Sequence, residues 1–182
     1  MPRLFIAIDT PAELADELLR TLPAHRDIRP TPVARLHLTL RFLGERDELA
    51  AAGIAGALRS VLMPSLALQV HGVGRFRGRQ GAILWAGLAA SPALVALSDA
   101  INTVLEAEGI APEHRRFWPH LTLARCRPGT PEPLLRDWLA AFHGLTLPSW
   151  NIAGFVLYES FLGREGARHV ARDTYRLVTP DC

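Results

Sequence analysis

At 182 residues, 49% of them hydrophobic and 21% charged, the chain can bury a proper core, and a disordered or collagen-like polymer is excluded. The formal net charge is only +2, too little for the strongly basic footprint of a general nucleic-acid binder, although all 20 basic residues are arginine, the better bidentate partner for phosphate. No apolar run approaches the roughly 18 residues of a membrane span, the opening residues are too short a stretch for a signal peptide, and two cysteines make no disulfide framework, so a cytoplasmic protein is expected.

In chain order, Leu4 to Ile8 reads as a first strand, and Thr10-Pro11 opens a helix to about Thr21 with Thr10 as its cap. Residues 23–34, rich in Pro and Arg, are expected to be a loop. A strand follows around His37 and ends at Gly44. Asp47 then caps a helix to about Leu62, with Leu49, Leu58 and Leu62 on its apolar face. Ser65 to Phe76 and Ala82 to Leu88 are predicted strands across a hairpin-like turn that carries Arg77 and Arg79. With Arg75 these form a candidate backbone-contacting strip, or simply a solvated hairpin tip. Ser91-Pro92 starts a helix stopped by Gly109, and a strand around His120 follows. Thr130-Pro131 opens a helix to Phe142, and strands Ile152–Tyr158 and His169–Leu177 flank a turn at Gly163-Arg164-Glu165-Gly166. This mixture predicts an α+β fold with largely antiparallel sheets, residues 1–182 forming one domain.

The tetrapeptide His-Leu-Thr-Leu occurs twice, at His37 and at His120, 83 residues apart. A shuffled chain of this composition would contain it about 0.01 times, so the copies point to two equivalent lobes. Both segments alternate polar and apolar residues, the pattern of a half-buried strand. Leu36, Leu38, Leu40, Leu121 and Leu123 go to the core, while His37, Thr39, His120 and Thr122 go to the open face. Packing alone would preserve the leucines but gives no reason to repeat His and Thr. Two imidazoles across a cleft are the equipment of general acid and base catalysis, and hydroxyls can hold an anionic oxygen. By the same parity Arg41 points into the cleft or to a surface ion pair, and Phe42 points to the core. Cys126 is a conceivable nucleophile but fits better as a small buried residue. Phe42 and Trp118 are candidate base-stacking aromatics. The remaining histidines, His25, His71, His114, His143 and His169, show no metal-ligand spacing, so neither a metal site nor any other cofactor is expected.

The segments Arg3-Leu4-Phe5-Ile6-Ala7-Ile8-Asp9, Leu36 to Glu45, Pro119 to Arg125 and Leu157-Tyr158-Glu159-Ser160 resemble the two-histidine (2H) phosphoesterases, in particular the bacterial RNA 2′,3′-cyclic phosphodiesterase (2′-5′ RNA ligase) family. The resemblance implies a bilobal, pseudo-twofold fold with a central cleft. It implies metal-independent hydrolysis of an RNA 2′,3′-cyclic phosphate to a 2′-phosphate, with weak ATP-independent 2′-5′ ligation as a possible second activity. His37 takes the role of proton donor and His120 that of proton acceptor, although the pseudo-symmetry leaves the swap open. Thr39 and Thr122 become phosphate ligands. Arg125 matches an HxTxxR pattern as a further phosphate ligand, with Arg41 as another candidate. Strict alternation would turn Arg125 away from His120, unless the strand ends or bulges first. The expected partners are RNA with a 2′,3′-cyclic phosphate end or small cyclic nucleotides, with no membrane, and the protein is expected to be a monomer. Two other readings stand beside this one: a related phosphoesterase for another cyclic phosphate, such as ADP-ribose cyclic phosphate, or a non-catalytic module that holds RNA ends.

Overall fold

The computed structural model describes residues 1–113, 115–163 and 166–178. His114, Cys182 and the Arg164-Glu165 centre of the expected last turn lie outside these residues. Among the described residues, ten strands and four helices follow one another as β1 (Arg3–Asp9), α1 (Ala12–Leu19), β2 (Ile28–Pro30), a 3₁₀ turn (Val33–Arg35), β3 (His37–Glu45), α2 (Glu48–Leu58), β4 (Leu66–Leu68), β5 (Val70–Gly78), β6 (Gly81–Leu88), α3 (Pro92–Ala107), β7 (His120–Cys126), α4 (Glu132–Phe142), β8 (Trp150–Ile152), β9 (Gly154–Gly163) and β10 (Gly166–Arg176). The fold is α+β, and all named strand pairs are antiparallel.

The large sheet runs β10-β9-β1-β3-β7-β6-β5, with β2 also paired to β7. Its centre is a single residue pair, Leu38 opposite Leu121. These are the same position of the two His-Leu-Thr-Leu copies, so a pseudo-twofold axis passes between them. The small sheet obeys the same axis, since β4 pairs with β8 through Ala67 and Asn151, 84 residues apart against 83 for the centre of the large sheet. Outward from the axis, β3 matches β7, β1 matches β6, and β9 matches β5. The two repeats, β1 to β5 and β6 to β9, are interlocked: β5 of the first pairs with β6 of the second, and β9 of the second pairs with β1 of the first. Each lobe therefore needs a strand from the other half.

Alternation decides which face is covered. Leu36, Leu38, Leu40, Leu121 and Leu123 are buried in one cluster with Leu18 of α1, Ile54 of α2, Leu97 and Ile101 of α3 and Leu135 of α4. Burying each such side chain contributes about 1.5–3 kcal/mol, which fixes the leucine face inward and leaves the His/Thr face open.

Several local expectations are corrected. Residues 23–34 contain β2 and the 3₁₀ turn, because Ile28 is buried and Thr31 bonds to β7. Thr10 does not cap α1: Pro11 is its N-cap residue, without a side-chain bond, and the Thr10 hydroxyl is buried without a partner. Asp47 and Ser91 do cap, accepting from the backbone N–H groups of Ala50 and Leu94. Helix α2 ends at Leu58, and Leu49 and Leu62 are exposed rather than on a buried face.

Candidate active site

On the open face the two central strands floor a cleft of about 960 Å³, lined among others by His37, Thr39, His120, Thr122 and Arg125. The register explains why these residues meet. With Leu38 opposite Leu121, an antiparallel ladder sets His37 beside Thr122 and Thr39 beside His120. The two histidines then lie on a diagonal of about 7–8 Å in an undistorted sheet, room for one phosphate between them.

Both strands bulge after the threonine, and the bulges correct two expectations. In β3, Ala7 faces Thr39 and its neighbour Ile6 faces Arg41, so Leu40 is an extra residue. In β7, Trp85 faces Thr122 and Leu84 faces Ala124, so Leu123 is extra at the equivalent place. An extra residue inverts the alternation beyond it. Arg125 consequently turns to the cleft, and so does its counterpart Phe42, which lines the cleft and is 69% exposed. Arg41 is turned the other way. It is 7% exposed, donates to the Ala111 carbonyl and lies 3.7 Å from Glu113. Arg41 is therefore a structural cation under the sheet, outside the cleft, and is withdrawn as a phosphate ligand.

Nδ1 of His120 lies 2.7 Å from the carbonyl of Trp118, two residues earlier. A carbonyl can only accept, so Nδ1 carries a proton, and in the neutral tautomer this leaves the lone pair on Nε2. At His37 the backbone of Arg35, two residues earlier, acts to raise the pKa. The surroundings of the two histidines differ. Phe76 meets the His120 ring edge-on at 5.1 Å, and Trp85 lies 6.1 Å away. Gly74 permits this, since a Cβ there would sit 2.1 Å from the Trp85 ring. His37 packs on Phe5 at 5.1 Å and meets a third histidine, His169 of β10, at 5.4 Å. Burial, then the charge of His169, lowers the His37 pKa to about 4, against smaller raising effects from the Arg35 backbone and Asp9. The Asp9 carboxylate itself accepts from the Tyr158 hydroxyl at 2.7 and 2.9 Å. Burial, then Arg35, also lowers the His169 pKa.

Sequence reasoning missed His169, Arg29 and Arg35, all of which line the cleft. Arg29 sat in a segment read as loop, Arg35 stood at the start of the alternating run around His37, and His169 comes from a strand 132 positions beyond His37, joined to it only through β9 and β1. Conversely, Arg75 and Arg77 are both bound by Glu132 and form no free basic strip. Trp118 is 55% exposed beside the His120 strand. Cys126 is buried, and burial pushes its thiol pKa up, as fits a core residue. Among the described residues no three His, Cys, Asp or Glu side chains converge as a metal site. No described helix is long and apolar enough to cross a membrane.

Residues 9–160 match the family model of the 2′-5′ RNA ligase superfamily. The chain is 30% identical over 190 residues to the RNA 2′,3′-cyclic phosphodiesterase of Escherichia coli (strain K12), covering 97% of each chain. It is 31% identical over 132 residues to the protein of that description from Aeropyrum pernix, covering 71% of this chain and 75% of that one. The crystal structure of E. coli LigT complexed with 3′-AMP superposes with a TM-score of 0.80 at 25% identity, over 98% of this chain and 100% of that one. A Thermus thermophilus protein, TT0787, gives a TM-score of 0.79 at 24% identity over 98% and 100% of the two chains, a likeness of fold.

Proposed function

Because the chain belongs to the 2′-5′ RNA ligase superfamily, we propose that its cleft carries the RNA 2′,3′-cyclic phosphodiesterase reaction of its curated relatives, a hydrolysis ending in a 2′-phosphate. The observation that carries this reading is the pair of His/Thr sets related by the pseudo-twofold axis on one cleft floor. They address a phosphate from two sides, as an in-line displacement requires.

His120 is the base. Its proton-bearing Nδ1 is tied to a carbonyl, which supports Nε2 as the atom that removes a proton from water. The resulting hydroxide forms a bond to phosphorus while the bond to the 3′ oxygen breaks. His37 is the acid and returns a proton to that oxygen, leaving the phosphate on the 2′ oxygen. Thr39, Thr122 and Arg125 donate to the charge that builds on the other phosphate oxygens.

In the empty cleft His37, with its pKa near 4, is neutral at pH 7. The substrate supplies what the acid lacks. One negative charge about 4 Å away, at an effective dielectric of about 20, is worth ~4 kcal/mol, or roughly three pH units. That raises the His37 pKa to about 7, so the imidazole takes up its proton only when a phosphate is present. All the groups invoked lie in one chain, and each lobe borrows a strand from the other half, which supports a single bilobal domain working as a monomer. The buried free thiol of Cys126 fits a reducing compartment, the cytoplasm. A capacity for 2′-5′ ligation follows from the same chemistry: the 5′ hydroxyl of a second strand replaces water as the group that bonds to phosphorus, and the 3′ oxygen leaves as before.

The test is incubation with a 2′,3′-cyclic nucleotide and identification of the product isomer by phosphorus NMR, with and without exhaustive chelation. A 2′-phosphate with full activity after chelation is expected. A 3′-phosphate, or activity lost to chelator and restored by zinc or magnesium, would overturn the assignment.

A further inference from the structure

Arg29 of β2 stands directly opposite Arg125 of β7. Facing residues of an antiparallel pair project from the same side of the sheet, and both line the cleft. Like charges placed directly opposite one another destabilise a sheet unless an anion lies between them. The protein does not supply one. Among the described residues neither arginine forms an ion pair, and Asp27, two positions before Arg29, is shared by His25, Arg26 and Arg127 at 3.7–4.0 Å. In a chain with 18 acidic residues, the described residues that line the cleft include four arginines and three histidines and no carboxylate.

The pair is also held in place. The Thr31 backbone N–H donates to the Leu123 carbonyl at 2.8 Å, and its hydroxyl donates to the Thr122 carbonyl at 2.7 Å. These bonds fix β2 on the edge of β7 where β3 has diverged, and Pro30 and Pro32 limit the backbone on either side of Thr31. Arg29 therefore sits one strand spacing, about 4.8 Å, from Arg125, along the edge of β7 that β3 occupies nearer the dyad. A phosphate held at the dyad by Thr39, Thr122 and Arg125 would have its neighbour along a nucleic-acid strand within reach of the Arg29 guanidinium.

We infer that the Arg29–Arg125 pair is a second anion site that takes the phosphodiester on the 5′ side of the terminal nucleotide, so the preferred substrate is an RNA strand of at least two nucleotides and not a free cyclic mononucleotide. The inference rests on the phosphodiesterase reading above. It explains why two uncompensated cations face each other beside a site that needs only one.

The experiment compares kcat/KM for a 2′,3′-cyclic mononucleotide lacking a 5′ phosphate with that for a cyclic-ended dinucleotide, in the wild type and in Arg29→Gln. The wild type is expected to favour the dinucleotide by about tenfold, the worth of one charge-assisted phosphate contact. The logarithmic salt dependence should be steeper for the dinucleotide by about 0.7, one single-strand phosphate contact. In Arg29→Gln both differences should collapse. Equal loss on both substrates, or an undiminished dinucleotide advantage, would overturn the second site while leaving the phosphodiesterase reading intact. If neither substrate is turned over, that reading falls. Equilibrium affinities for the mono- and dinucleotide 2′-phosphates then still decide: tighter dinucleotide binding that disappears in Arg29→Gln supports the second site, and equal affinities refute it.

Discussion

The lowered pKa of His37 makes folding stability depend on pH in a defined window. In the unfolded chain the imidazole titrates near 6.5, and in the folded protein near 4. Above pH 6.5 both states hold it neutral and the folded state carries no penalty. As pH falls from 6.5 towards 4, the unfolded chain takes up a proton that the folded protein refuses, so stability is lost across this interval. The full shift of about 2.5 units corresponds to roughly 3 kcal/mol, most of it already lost at pH 4.5. His169 moves in the same direction and adds to the slope. The assay is urea unfolding at pH 7 and pH 4.5 for the wild type and for His37→Gln, which keeps a polar planar side chain but does not titrate. The wild type should lose about 2–3 kcal/mol more than the variant over this interval. A phosphate ligand should reverse the effect: calorimetry in buffers of different ionisation enthalpy should show net proton uptake on binding near pH 6. Equal pH slopes for wild type and variant would refute the burial argument, and binding without proton uptake would refute the loading of the acid by the substrate.

Replacing either histidine, His37→Ala or His120→Ala, should lower turnover about 10²-fold or more while circular dichroism stays unchanged, because each removes one proton-transfer partner. A folded variant with near wild-type rates would exclude the two-histidine scheme. Thr39→Val and Thr122→Val keep the branched shape and remove a donor, so kcat should fall, by up to about 3 kcal/mol in activation free energy where the hydroxyl is a main contact to developing charge. Unchanged kinetics in both would mean that neither touches the phosphate. The two arginines after the threonines should separate cleanly. Arg125→Gln should lower kcat/KM with little change in unfolding midpoint. Arg41→Gln should leave kcat/KM unchanged and lower stability by about 1–2 kcal/mol through loss of its charged bond to the Ala111 carbonyl. The opposite pattern would mean that the bulges do not invert the strands as described.

Features that depend on local periodicity and repetition were legible in the amino-acid order alone. Two copies of His-Leu-Thr-Leu with matched alternation were enough to set leucines inward and His37, Thr39, His120 and Thr122 outward, and to imply a twofold relation. Capping by Asp47 and Ser91 was also legible, because it involves residues three apart. Strict alternation failed at Arg41, Phe42 and Arg125. A bulge is defined by the partner strand, through one residue of β1 or β6 facing two of β3 or β7, and nothing in Leu40-Arg41 or Leu123-Ala124 announces it. The contents of the cleft walls were likewise tertiary. Arg29 reaches Arg125 across 96 positions, on a strand of only three residues, and His169 reaches His37 through two intervening strands. The lowered pKa of His37 was beyond the sequence for the same reason. It depends on burial and on a like charge from a distant strand, and both arise only when non-local pairing closes the sheet.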